Sequence, residues 1–200
     1  MLRALALSVL VLAQASLYAK CAPKNVLKIV VVSESASGVA RTIHRHGERL
    51  GRLEVENQLF VVNEPDIWIV NKADMTGQHA VDAGPVFEFH APVVDNLDSK
   101  YWNNFEFGCE LPFMEAVGSK PEPTEDGGRM YEHSAEGVIA KLFVHKNGLP
   151  RRVELSGKHN PMALDYQTFE EVRDPPADLF TKPAGVKFVE ATGTPSEPEQ

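Results

Sequence analysis

Short segments in which apolar and polar residues alternate, each bounded by turn-forming residues, follow one another along most of the chain. An alternation with a period of two gives a strand one apolar face, whereas in a helix it would scatter the apolar side chains around the axis. The strongest local signal is Asn147-Gly148, a pair typical of type I′ turns, between residues 137–145 and 151–155. The pattern therefore predicts successive β-hairpins.

Further strands are predicted on both sides of this hairpin. They are residues 26–32, 39–46 with 52–56, 59–62 with 67–70, 85–94, 129–133 and 162–172. The first is short and rich in β-branched residues, which favour strands over helices. Pro65 lies between the two segments of the third group, where its fixed φ favours a tight reversal.

Three segments break the strand pattern. Residues 101–118 carry irregularly spaced aromatic residues and predict a short helix or a lid. Residues 118–128 have almost nothing to bury and predict a loop, and Pro175-Pro176 ends regular hydrogen bonding because proline has no N–H donor. The predicted fold class is mainly β: a single strongly curved antiparallel sheet, an open half-barrel, with one or two short helices or a lid segment.

Composition limits the class of protein. A chain of 200 residues with 43% hydrophobic and 24% charged side chains can bury one core, which excludes a disordered or collagen-like polymer. The formal net charge is −8, with 28 acidic residues against 20 basic ones. A nucleic-acid partner is therefore not expected, because no basic excess is available to neutralise phosphates.

The first residues are typical of an export signal. Arg3 precedes an apolar run that is too short to cross a membrane, and small residues at 13, 15 and 19 suit cleavage by a signal peptidase. We expect a signal peptide over residues 1–19, one β domain over residues 20–191 and a disordered tail over residues 192–200. The expected location is periplasmic or secreted.

The chain has two cysteines, Cys21 and Cys109. In an oxidising compartment an even pair favours a structural disulfide, which would fix the N-terminal segment. Two free thiols remain an alternative, and so does a catalytic role, although the Cys-x-x-Cys spacing of redox-active pairs is absent.

The histidines suggest a second class of site. His79 is followed by Asp82, a spacing in which a carboxylate could orient a general base, and His90 follows on the next predicted strand. His44 and His46 share one face of a strand and could contribute to a metal site, but beside Arg45 they also suit a solvated strand edge. No recognised catalytic motif accompanies them, so no catalytic residue, cofactor or metal is assigned.

The order of strand and turn signatures resembles that of the periplasmic outer-membrane lipoprotein carrier superfamily, the LolA/LolB-like proteins. The matching segments are RLEVE at 52–56, IWIVN at 67–71, GLPRRVE at 148–154, DLF at 178–180 and PAGV at 183–186. The resemblance spans residues 39–189. It implies an unclosed antiparallel half-barrel whose apolar concave face, covered by helices, shelters acyl chains.

These observations favour a non-enzymatic binding protein whose partner is an apolar ligand or a lipidated protein, with peripheral contact to a membrane. The predicted lining residues are Trp68, Phe87, Phe89, Leu142 and Val144, which could equally form a packed core. A metal- or histidine-dependent hydrolase and a structural accessory protein of a cell-envelope complex are the alternatives.

Overall fold

The structure is a computed structural model, and it describes residues 21–33, 38–81, 93–94, 101–157 and 161–190. The predicted signal peptide and C-terminal tail lie outside this part of the chain, as does most of the predicted strand at 85–94. The strands are β1 Leu27–Ser33, β2 Ala40–His46, β3 Leu50–Val55, β4 Gln58–Asn63, β5 Asp66–Asn71, β6 Thr76–Val81, β7 Glu122–Pro123, β8 Arg129–Ala135, β9 Val138–Val144, β10 Pro150–Gly157, β11 Met162–Glu171 and β12 Lys187–Glu190. One α-helix, α1 Glu110–Ala116, follows a single 3-10 turn at Trp102–Asn104 in the described ranges. The mainly β class is confirmed.

All twelve strands form one sheet in the order β12-β6-β5-β4-β3-β2-β1-β11-β10-β9-β8-β7. The outer strands β7 and β12 do not pair with each other, so the sheet is not closed. The prediction of a wholly antiparallel sheet was wrong, because β12 pairs with β6 in parallel. Neither strand has a clear apolar alternation, and their pairing joins distant parts of the chain.

The predicted hairpins are present, but one turn differs from the expectation. His145 N–H donates to the carbonyl of Leu149 at 2.9 Å, and Gly148 N–H donates to the carbonyl of His145 at 2.9 Å. Gly148 has φ 83°, whereas Asn147 is not among the residues with positive φ. A type I′ turn needs positive φ at both central residues, so this is a type I turn followed by a left-handed glycine, with a bulge at the start of β10.

The main core lies on one face of the sheet, which we call face A. Alternate residues of β1 and β9 point into it, which explains their strict alternation of buried and half-buried side chains. Residues 101–117, which we call the cover, pack on face A and contribute Trp102, Phe105 and Phe113 to the same cluster. A smaller cluster lies on the other side, face B, where Val186 and Phe188 pack against β4 and β5.

A disulfide between Cys21 and Cys109 confirms the predicted pairing. It joins the segment before β1 to the residue immediately before α1, so it attaches the cover to the start of the sheet. Within the described ranges, no helix has the length and apolar character needed to cross a membrane.

Candidate functional site

One row of apolar side chains crosses face A from the centre of the sheet towards β12. Its members are cross-strand partners in successive strands: Ile29, Ile43, Leu53, Phe60 and Ile69. Ile29 and Ile43 are fully buried, Leu53 and Phe60 are half-buried, and Ile69 is 37% exposed. We call this set the apolar row. Its exposure increases with distance from the cover.

The cover fills the part of face A that is formed by β8 and β9. Leu142 and Val144, two predicted lining residues, are fully buried there in the main cluster. The rings of Phe105 and Phe113 lie 5.1 Å apart above this region, and the indole N–H of Trp102 donates to the carbonyl of Ala135 at 3.2 Å. The chain's own aromatic side chains therefore occupy this part of the face.

The β3–β5 part of face A has a different character. Val55 and Ile67 are half-buried beside the apolar row and enlarge its apolar surface. At one end, Val55 is followed across the sheet by Gln58, Asn71 and Thr76, all polar. Apolar side chains with a polar margin on one side suit a ligand that has an apolar body and a polar end.

The structure separates Trp68 from the predicted lining residues Leu142 and Val144. Trp68 lies on face B, because its neighbours Ile67 and Ile69 take face A in the strand alternation. It is 6% exposed and packs with Leu59 and Val70. Phe87 and Phe89 lie outside the described residues.

A cleft of about 400 Å³ opens on face B beneath residues 178–186. Arg52 and Lys72 at its rim both bind Glu54, at 2.8 Å and 3.2 Å. Burial raises the pKa of Glu54, but these hydrogen bonds outweigh it and lower that pKa below its usual value. The two cations are therefore engaged with a carboxylate of the chain.

His79 lies on β6 on face B and is held between two carboxylates. Its Nε2 lies 2.8 Å from Asp66 and its Nδ1 lies 3.0 Å from Glu190, while its ring stacks on Trp68 at 5.6 Å between centroids. Hydrogen bonds that the protonated ring donates to the carboxylates of Asp66 and Glu190 raise the pKa of His79. Because both ring nitrogens are engaged on opposite sides of the ring, these three residues do not converge on one point.

Within the described residues, the structure adds no further residue to the predicted histidine sites. Asp82 and His90 lie outside this part of the chain, so the predicted arrangement around His79 remains a prediction. His44 and His46 occur on β2, where burial and Arg52 lower the pKa of His44. No group of three metal-ligating side chains is found in the ranges that the structure covers.

A buried polar cluster that the sequence analysis missed joins the cover to the sheet. Arg45 on β2 is 2% exposed and forms an ion pair with Glu106 of the cover. Its guanidinium also donates to the carbonyl of Phe107 at 3.1 Å and to the carbonyl of Cys21 at 3.0 Å. The signal was the alternation in β2, which places Arg45 on the same face as Ile43.

No family model matches the chain, and no curated protein matches it. Among solved structures, the crystal structure of an uncharacterized conserved protein from Thermus thermophilus is similar to this chain. The TM-score is 0.50 and the identity 14%, and the match covers 84% of this chain and 91% of that chain. This likeness concerns the fold alone: the chain shares the architecture of that protein.

Proposed function

We propose that this protein is an exported binding protein that holds an apolar ligand, a lipid or the acyl chain of a lipidated protein, against the β3–β5 part of face A. The observation that carries the proposal is the apolar row, in which exposure rises from zero at Ile29 to 37% at Ile69. Binding of a ligand that removes such side chains from water lowers the free energy, because apolar surface is buried. Each methylene group of an acyl chain buried there contributes about 0.8 kcal/mol.

The proposed shape of the site is the concave side of a strongly curved open half-barrel. A sheet of twelve strands with right-handed twist and unpaired outer edges can curve in this way, and the bend would gather the apolar row around a guest. The ordered signatures that resemble the LolA/LolB-like carriers support the same interpretation. Leu142 and Val144 then form the floor beneath the cover, and Phe87 and Phe89 stay predicted lining residues.

The proposed compartment is the periplasm or the extracellular space. The disulfide between Cys21 and Cys109 supports it, because such bonds persist where the surroundings are oxidising. The signal-like N-terminal segment supports the same location.

The test is to record a native mass spectrum of the protein purified from its own compartment and then to titrate the delipidated protein with a fluorescent fatty acid. We expect a co-purified lipid and saturable binding. Ile69→Gln and Phe60→Gln should each weaken binding by about 10-fold, because each removes an apolar contact worth roughly 1.4 kcal/mol. Ile139→Gln is the matched control, since Ile139 is a half-buried isoleucine on face B of β9.

Equal affinities for the two face A variants and the control would contradict the proposed site. A protein that carries no lipid and does not bind the fatty acid contradicts the proposed function. Recovery of one stable protein partner without lipid would instead support the structural accessory role. Loss of a hydrolytic activity in His79→Ala would support the enzyme hypothesis.

A further inference from the structure

Glu110, the first residue of α1, links the cover to the sheet through a buried carboxyl group. The residue is 1% exposed. The hydroxyl of Tyr166, on β11, donates to its Oε1 at 2.6 Å, and the backbone N–H of Gly108, within the cover, donates to its Oε2 at 3.0 Å. The contact with Tyr166 is therefore broken whenever the cover leaves the sheet.

The nearest cation, Arg45, is already paired with another carboxylate and so does little to stabilise an ionised Glu110. Arg45 faces it from β2, but its guanidinium already forms an ion pair with Glu106 and donates to two backbone carbonyls. Tyr166 faces it from β11, and burial raises the pKa of that hydroxyl well above its usual value, so it stays a neutral donor. Among the described residues, the cation that acts on Glu110 is therefore already engaged with a second carboxylate, and both carboxylates are buried.

Ionisation of Glu110 is correspondingly unfavourable while the cover is closed. Burial raises the pKa of Glu110 to about 7, although the hydrogen bonds from Tyr166 and Gly108 and the charge of Arg45 act in the opposite direction. In a separated cover the carboxyl group would meet water and return to its ordinary value of 4.5. The closed cover therefore binds a proton that the separated cover releases.

We propose that residues 101–117 form a pH-controlled cover over face A, which separates from the sheet more often when Glu110 loses its proton. The disulfide at Cys109 keeps the separated cover attached to the segment before β1. Separation uncovers the part of face A that adjoins the apolar row. A role in ligand entry rests on the function proposed above, whereas the movement itself does not.

The linkage between proton binding and separation sets the size of the effect. With a pKa of about 7 in the closed state and 4.5 in the separated state, the equilibrium constant for separation rises roughly 70-fold between pH 5 and pH 8. This rise comes from ionisation of the Glu110 carboxyl group, so it is absent when residue 110 cannot ionise.

Hydrogen exchange of the ligand-free, disulfide-intact protein measures the separation. The reporters are the α1 amides, such as Phe113 N–H, which donates to the carbonyl of Cys109, because a helix of seven residues is marginal in water once it has left the sheet. After correction for the intrinsic pH dependence of exchange, we expect these amides to exchange about 70-fold faster at pH 8 than at pH 5, with little change in Glu110→Gln. Amides of β1 in the wild-type protein should change much less.

A second variant keeps the test decisive if Glu110→Gln does not fold. Tyr166→Phe removes a donor to the ionised carboxylate and so raises the closed-state pKa of Glu110 further, and exchange should therefore keep rising to a higher pH and by a larger total factor than in wild type. Equal pH dependence in wild type and Glu110→Gln overturns the proposal. A rise shared equally by α1 and β1 also overturns it, because that pattern reports unfolding of the whole molecule.

The link to ligand entry is measured separately, as the association rate of the fluorescent fatty acid at pH 5 and pH 8. A rate that increases with pH in wild type and stays constant in Glu110→Gln supports control of entry. Exchange that depends on Glu110 in a protein that does not bind the fatty acid would retain the cover movement and contradict the proposed function alone.

Discussion

Arg45 is a charged residue that the packing of the cover requires. Its side chain is 2% exposed, and it connects three separate pieces of the chain: its own strand, the Cys21 carbonyl and the cover residues Glu106 and Phe107. Arginine suits this position because its planar guanidinium can satisfy several acceptors at once. A buried ion pair of this kind is sensitive to loss of one partner, since the other charge stays in a site without water.

We expect Arg45→Met to lower the free energy of unfolding by about 3–5 kcal/mol, because methionine fills part of the space but removes the cation that pairs with the buried Glu106. Urea denaturation at neutral pH measures the change. Lys28→Met is the control: the side chains of Lys28 and Glu170 lie 3.7 Å apart and are 40% and 57% exposed, so its loss should cost less than about 1 kcal/mol.

A double variant tests the reason for this loss. Arg45→Met combined with Glu106→Leu should recover much of the stability, because it removes the buried carboxylate of Glu106 as well as its cationic partner. If Arg45→Met lowers the free energy of unfolding no more than Lys28→Met does, the cluster does not hold the cover to the sheet.

Sequence reasoning at the residue scale reached the position of Arg45 but not its environment. The alternation of β2 put Arg45 and Ile43 on one face, yet the nearby turn and histidines suggested a solvated edge. Burial depends on the cover, whose residues come after strands β3–β6 in the chain. The same holds for Glu110, whose proximity to Tyr166 follows from tertiary packing and from no local pattern.

The short parallel strand β12 lies at the edge of the sheet and is weakly held. Four residues pair with β6, and the side-chain contacts that hold them are few: Phe188 on face B and Glu190 against His79. The proton on His79 strengthens its contacts with Asp66 and Glu190, which explains why the pKa of His79 is raised. Binding of this proton therefore favours the docked strand.

We expect β12 to detach more easily as pH rises. A raised folded-state pKa gives stability that is fully present below the ordinary value of 6.5 and is lost as pH increases through the raised value. Because the Glu190 side chain is 72% exposed, the effect should be modest: exchange of the β12 amides, corrected for intrinsic rates, should rise about 2- to 5-fold.

His79→Gln should remove this pH dependence in β12. His145→Gln is the control, since His145 is exposed in the β9–β10 turn and distant from β12 in the sheet. A pH-dependent exchange that survives in His79→Gln would show that another group holds the strand.

Elements joined by local turns were predictable, and elements joined over long distances were not. The hairpins β2–β3, β4–β5 and β9–β10 followed from alternation together with turn residues, which act within a few positions. β6 was missed because Thr76-Gly77-Gln78-His79 has no apolar alternation, and it forms because β5 offers it a partner. β12 has only four residues, so its pairing with β6 had no local signal.

At the scale of the whole molecule, two antiparallel meanders share one sheet. Strands β1–β6 form the first and β7–β11 the second, and the antiparallel pair β1–β11 joins them. β12 then returns from the second meander to the outer edge of the first, beside β6. The mainly β class followed from the strand pattern, but neither this junction nor the return could be read from it, because strand order is set by contacts between distant segments.

The disulfide reinforces this junction, and its removal is the sharpest test of how much the two meanders depend on it. Cys21 precedes the first meander, and Cys109 lies in the cover between the two, with a sequence separation of 88. Closing a loop of that length lowers the entropy of the unfolded chain, which corresponds to about 4–5 kcal/mol of stability.

We expect the double variant Cys21→Ala/Cys109→Ala to lose about that much in urea denaturation. Wild-type protein with reduced and alkylated cysteines should lose at least as much, because the alkyl groups would also crowd the nearly buried Cys109 site. A loss under about 1 kcal/mol in the double variant would mean that β1–β11 pairing and the Arg45 cluster hold the cover and the meanders together without the covalent link.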